Sequence, residues 1–161
     1  MINAAEAWLV ECGHARVFIS ALNMLHVIED STMRYRVPLT PAHCNSVLVW
    51  QQRVLPVVSI AELIHQPTRT PCKYVCVLGW QDIQAGTEYG VLAASAFPQR
   101  IMIHDSHSVT PAAELAEAWQ PYALCFVEYN NKVVPIIDPA RCFNASQFDR
   151  QSGIEAVGMI A

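Results

Sequence analysis

The chain states one pattern twice. Trp50-Gln51-Gln52-Arg53-Val54-Leu55-Pro56-Val57-Val58-Ser59 returns 79 positions later as Tyr129-Asn130-Asn131-Lys132-Val133-Val134-Pro135-Ile136-Ile137-Asp138. Aromatic answers aromatic, an amide pair answers an amide pair, base answers base, and proline falls at the same place inside an apolar run. In a chain of 161 residues that offset is close to half the length. The pattern therefore predicts two copies of one unit of about 75 residues and a pseudo-symmetric protein.

With 53% hydrophobic and 15% charged residues, the chain can bury a substantial core, which argues for one folded unit of two subdomains. The net charge is −4, and Lys and Arg are scattered rather than clustered, so there is no electrostatic footprint for a phosphate backbone and nucleic acid is not an expected partner. No apolar run reaches the roughly 18 residues of a transmembrane helix, and Met1-Ile2-Asn3-Ala4-Ala5-Glu6 lacks the basic start of a signal peptide. The expectation is a cytoplasmic protein without membrane insertion. There Cys12, Cys44, Cys72, Cys76, Cys125 and Cys142 should stay thiols and serve as small core residues.

Trp8 to Cys12 and Val17 to Leu22 read as strands joined through Gly13. Asn23 to Ile28 fits either one helical turn or an irregular strand, and Ser31 to Asn45, with Pro38 and Pro41, reads as a long loop. Ser46 to Trp50 and Arg53 to Val58 are β-rich segments around Gln51-Gln52, with Ser59 as N-cap of a short helix through Ile64. Pro67 and Pro71 mark the boundary between halves. The plan then repeats: Lys73 to Trp80, a turn through Gly86, Tyr89 to Ala94, Arg100 to Ile103, a loop to about Pro121, and a last hairpin of Tyr122 to Tyr129 and Lys132 to Ile137 around Asn130-Asn131. Ten short strands and no βαβ rhythm make the chain mostly β. Pro56 and Pro135 lack the N–H that a central strand donates, which assigns them to an edge or a bulge and favours small barrels with interrupted edges.

Trp50 beside Arg53 at a hairpin tip has the composition of an interface anchor, and equally that of a residue packed into its own barrel. Gln51, Gln52, Asn130 and Asn131 are matched recognition tips or simply turn formers. His104, Asp105 and His107, and Cys72 with Cys76, carry metal-binding residue types, but no four-ligand set assembles and no metal or cofactor is expected. No phosphate loop, nucleophile elbow, metalloprotease helix or dinucleotide fingerprint occurs; the cysteines lie mainly in apolar runs where burial silences them, so no catalytic residue is assigned and an enzyme is not expected. The apolar tail, residues 153–161, reads as an end resting on its own barrel or as a self-association element.

The order of elements resembles the CheW-like domain, the coupling module of bacterial chemosensory arrays, over about residues 7 to 145. That family's first-half segment, Gly-Val-hydrophobic-Asn-Leu-Arg-Gly followed by a hydrophobic strand with an internal proline and then Asp-Leu, aligns without gaps on Ser46 to Ile60, where Val47, Leu48, Pro56, Val57 and Val58 fit. Its second-half strand is similar to Gly90-Val91-Leu92-Ala93-Ala94-Ser95, and its opening hairpin to Gly13 with Val17-Phe18-Ile19. The Asn-Leu-Arg-Gly tetrapeptide falls on Val49-Trp50-Gln51-Gln52, so glutamine replaces the partner-binding arginine and Arg53 stands two residues on. Ser59 replaces the acid after the strand, while Asp138 keeps it in the second half.

The resemblance implies a mostly β fold of two small SH3-like five-stranded β-barrels with short helices. The subdomains would span about 15–68 and 73–140, the N-terminal strand and C-terminal segment packing across. It implies a non-catalytic scaffold that couples a chemoreceptor's cytoplasmic tip to the regulatory domain of a CheA-type histidine kinase, recruited to membrane-associated arrays, in chemotaxis or a type IV pilus-linked pathway. Partner contact is assigned to Val49, Trp50, Gln51, Gln52 and Arg53. The alternatives are a small-ligand-binding β module with its pocket in the interbarrel cleft, and a paralogue that competes with true couplers or has lost one partner.

Overall fold

The computed structural model describes residues 3–29, 34–40, 42–66 and 71–143. Its strands are β1 Ala4–Cys12, β2 Ala15–Ser20, β3 Met24–Glu29, β4 Arg34–Arg36, β5 Ser46–Trp50, β6 Arg53–Val58, β7 Tyr74–Asp82, β8 Gly86–Ala94, β9 Gln99–His104, β10 Ala123–Tyr129 and β11 Lys132–Ile137. Three short helices follow β6, precede β10 and follow β11: α1 Ile60–Leu63, α2 Ala113–Trp119 and α3 Pro139–Cys142. The chain is mostly β, as expected. Asn23 to Ile28 resolves into the irregular strand β3, with a register shift between Met24 and His26. Two expected loops prove structured: β4 and a 3-10 turn, Ala42–Cys44, lie within 31–45, and α2 lies before Pro121. A three-residue strand is too short to show period-two alternation, and α2 is hidden between prolines.

One sheet runs β10-β11-β2-β1-β9 and the other β5-β6-β8-β7-β3, with β4 added beside β5. The two orders are the same once repeat-equivalent strands are matched, and the parallel contacts agree in register: Val57 opposes Val91 in one sheet, and its equivalent Ile136 opposes Phe18 in the other. Hydrogen bonding nevertheless crosses between the halves. The opening hairpin of the first half, β1-β2, lies in the sheet built from β9, β10 and β11, while that of the second half, β7-β8, lies among β3 to β6. Each half lends its central hairpin to the other.

Both sheets must curl. Glu29, ending β3, and Arg34, beginning β4, are separated by five peptide links, at most about 19 Å, whereas the edges of a flat six-stranded sheet lie about 24 Å apart. In the five-stranded sheet the counterpart of β4 is one bridge, Ser108 to Val127, supported by the Val109 N–H donating to the Phe126 carbonyl at 3.0 Å. Arg34 opposes Leu48, the repeat equivalent of Val127, so both sheets are extended at this edge in the same register.

Because the exchanged hairpins are covered on both faces, they read as nearly continuous apolar runs, and alternate residues feed different cores. Val75, Val77, Val91 and Ala93 join Leu48, Leu55 and Val57 inside the six-stranded sheet. Ala7, Leu9 and Phe18 join Val127 and Val134 inside the other. The opposite faces, including Val10, Val17, Ile19, Cys76, Leu78 and Leu92, meet between the sheets with Trp119, Ile137 and Cys142.

The two equivalent hairpins, β5-β6 and β10-β11, turn through two residues with positive φ: Gln51 at 45° and Gln52 at 64°, Asn130 at 49° and Asn131 at 61°. These are the left-handed pairs whose twist suits a hairpin. Counting from such a turn, the flanking pair is hydrogen-bonded and alternate pairs are not, which places Val47 opposite Pro56 and Phe126 opposite Pro135 at non-bonded positions. The edge assignment of the prolines is thereby corrected. β6 and β11 are interior strands, but each proline's missing N–H points toward a neighbour whose ladder begins only one residue later, at Val57 and Ile136.

Asp138 caps α3, its carboxylate accepting from the Ala140 N–H at 3.1 Å. Ser59 occupies the N-cap position of α1 without a side-chain cap bond; its hydroxyl lies 3.6 Å from the Cys12 sulfur instead.

Glutamine carries the Cβ penalty of a left-handed backbone and gains nothing there that Asn does not. Gln52→Gly should raise stability by about 0.5–1 kcal/mol in urea unfolding, and the same change at Asn131 by less. The buried thiols give a second expectation. Burial, with a smaller contribution from the Cys72 sulfur, pushes Cys76 up to about 12, and burial also raises Cys142. A raised thiol stabilises the fold fully below its unfolded value of 9.0, and that stability is lost as pH climbs through the folded value. Above pH 9 the unfolding free energy should therefore fall as pH rises, and Cys76→Ala should make that fall shallower in urea unfolding.

Candidate functional site

The β5-β6 tip stands at one end of the six-stranded sheet. Trp50 and Arg53 are the pair flanking the turn, so their side chains emerge on the same face, and both converge on Tyr89 of β8. The Trp50 and Tyr89 ring centroids are 6.0 Å apart at 49°, and the Arg53 guanidinium carbon lies 4.6 Å from the Tyr89 centroid. Both distances fit attraction to the ring, of the order of 0.5–1 kcal/mol for a cation at an exposed site. Among the described residues Arg53 has no carboxylate partner. Glu88 lines a groove with it without forming an ion pair.

Trp50 is half-buried and packs against the interior cluster of its own sheet, so the core and anchor readings both describe part of it. Gln51, Gln52 and Arg53 are exposed, as is Val49. Val54, opposite Val49 on the outer face, is 67% exposed. The five sequence-assigned residues are thus contiguous at one sheet end.

Two further turns reach the same end. The β2-β3 turn is tied to β7 by the Gly79 N–H donating to the Asn23 carbonyl at 2.9 Å and by the Asn23 side chain donating to the Gly79 carbonyl at 3.0 Å. Leu22 in this turn is 91% exposed, and Ile83 in the β7-β8 turn is fully exposed. Leu25 closes over Gly79, where an added Cβ would meet its Cδ1 at 2.8 Å. Tyr89 belongs to the site, with Leu25 beside it across Gly79, and neither carries a local sequence signal; only the pairing of β8 with β6 and of β3 with β7 brings them there.

Beside the tip, β6 and β8 splay apart before their ladder begins. The gap is a groove of about 310 Å³ walled by Arg53, Val54, Pro56, Tyr89, Trp80 and Phe143. The Trp80 and Phe143 rings stack at 5.2 Å and 19°. Gly90 makes room for them, since a Cβ there would lie 2.6 Å from the Phe143 ring.

The other residues singled out in the sequence do not assemble. His104 and His107 have centroids 5.4 Å apart, and the His104 N–H donates to His107 Nδ1 at 3.4 Å. Among the described residues no group of three or more His, Cys, Asp or Glu could hold a metal ion. Cys72 donates to the Tyr74 carbonyl at 3.0 Å and packs against the six-stranded sheet's interior, whereas Cys76 faces the core between the sheets. Burial raises Cys44 and Cys125 as well, which disfavours the thiolate a nucleophile needs. Residues 153–161 lie outside the described residues. Among the described residues no helix is long and apolar enough to cross a membrane.

The geometry agrees with known proteins at the level of fold. The structure is similar to the crystal structure of the scaffolding protein TtCheW from Thermoanaerobacter tengcongensis, with a TM-score of 0.67 over 85% of this chain and 86% of that one, at 13% sequence identity. No curated protein matches the chain in sequence. The CheW-like domain matches residues 6–147, nearly the whole length, and the chain therefore belongs to the CheW-like domain family.

Proposed function

We propose that the protein is a non-catalytic coupling scaffold of a chemosensory pathway, serving chemotaxis or pilus-driven movement. It would work in the cytoplasm at receptor arrays, binding the regulatory domain of a CheA-type histidine kinase and the cytoplasmic tip of a chemoreceptor. Family membership supports the class. The observation that carries the site is the Trp50–Tyr89–Arg53 cluster, an aromatic platform bearing a guanidinium that has no carboxylate partner among the described residues, beside the exposed Val49 and Val54. Trp, Tyr and Arg are the residue types that dominate binding energy at interfaces.

Arg53 takes the part of the arginine that the family carries at the position of Gln51. Gln51 has a left-handed backbone at the tip of the turn, where a long side chain points into solvent. Two residues on, Arg53 begins a strand and lies against Tyr89. Relocating the charge from the turn to the strand fixes its direction, and this favours a partner surface carrying a carboxylate. The groove beside the tip, walled by Trp80 and Phe143, supports a second reading as a small-ligand site.

Calorimetric titration against the regulatory domain of the CheA-type kinase from the same cell separates these readings. Arg53→Ala should lower stability by no more than about 1 kcal/mol, the worth of its contact with Tyr89, and weaken kinase binding by about 1–3 kcal/mol. Trp50→Ala should weaken it by about 2–4 kcal/mol and also lower stability, because the ring packs on the sheet interior. Gln51→Arg should alter affinity without altering stability. Kinase affinity indifferent to all three would move the interface elsewhere. A saturable thermal shift with metabolites and none with the kinase would favour the ligand reading.

A further inference from the structure

We infer that this chain can pair with a second copy of itself by exchanging halves, giving a dimer in which each half of one chain completes the sheets of the other. The inference rests on the crossed hydrogen bonding. Four ladders join residues before 67 to residues after 70: β1 with β9, β2 with β11, β3 with β7 and β6 with β8. Without the second half, β1-β2 is a two-stranded hairpin with one face bare, and β4-β5-β6 ends at an unpaired β6. An isolated hairpin is marginal in water.

The cores divide the same way. Inside the six-stranded sheet, Leu48, Leu55 and Val57 come from one half and Val75, Val77, Val91 and Ala93 from the other. Inside the five-stranded sheet, Ala7, Leu9 and Phe18 come from one half and Val127 and Val134 from the other. Each half must find a complementary half to bury its apolar surface, and every ladder and core contact forms equally well within one chain or between two.

Only the peptide connection from Gln66 to Pro71 distinguishes the two outcomes. A short connection gives the partner half in the same chain an effective concentration in the millimolar range. At micromolar concentrations the closed monomer therefore prevails. As total concentration approaches the effective one, halves of different chains compete, and the exchanged dimer, once formed, reverts only by breaking four ladders in each of its two composite folds. Such a dimer repeats the Trp50–Arg53 tip, so it would be a bivalent coupler; that consequence alone rests on the function proposed above.

The full chain should be unfolded in denaturant with reductant and refolded at about 5 μM and at about 0.5 mM, on either side of half-saturating exchange. Light scattering after chromatography should then show monomer from the dilute sample and a species of twice the mass from the concentrated one, persisting on dilution. Monomer alone at both concentrations overturns the inference. Glu6 and Met102 oppose each other across β1 and β9 and are both exposed. The Glu6→Cys/Met102→Cys variant, with Cys125→Ser to remove the exposed native thiol, reads the connectivity. Oxidised after concentrated refolding, the twofold species should run as a covalent dimer in denaturing gels without reductant. A covalently closed monomer from that species would mean simple surface association and overturn the exchange.

Discussion

Everything in this structure depends on the exchange of hairpins between the two halves. β1-β2 and β7-β8 are the strands covered on both faces, one face toward the barrel interior supplied by the other half and the other toward the core between the sheets. This explains why Val75 to Leu78 and Val91 to Ala94 are unbroken apolar runs while β5 and β10 carry exposed residues. It also makes the two sheets one cooperative unit. Neither half can be loosened without opening a sheet that contains strands of both, and the core between them seals the arrangement with Trp119 and Cys142.

The sequence foretold the repeat and most strands, because both rest on local signals: an amide pair at the turn, a proline at the fourth position of the strand after it in both copies, and alternation long enough to see. It did not foretell the exchange, since pairing partners far apart in sequence leave no local trace. The same limit explains the prolines. Their chemistry was legible and their place was not, because an interior strand can accept proline where the adjacent ladder has yet to begin, and only the register reveals that position. β4 and α2 were missed for shortness and for the prolines beside them.

The candidate site divides along the same line. Val49 to Arg53 could be singled out from one hairpin's composition, whereas Tyr89 arrives from β8 and Leu25 from β3. The crossed topology therefore does more than build the core. It places a tyrosine of the second half against a tryptophan and an arginine of the first, so the surface proposed above is itself shared between halves. The ladders that hold it, β5 with β6 and β6 with β8, join the two halves within the six-stranded sheet.

Coupling is a free energy shared between two binding events, and it is visible only when both partners are present. The most direct test is therefore the autophosphorylation rate of the CheA-type kinase from the same cell, measured with membranes carrying its chemoreceptor, with and without this protein. The account predicts that receptor and attractant change the rate only when the protein is present, and that Arg53→Ala blunts the change. A kinase whose response to receptor is the same with and without the protein would contradict it.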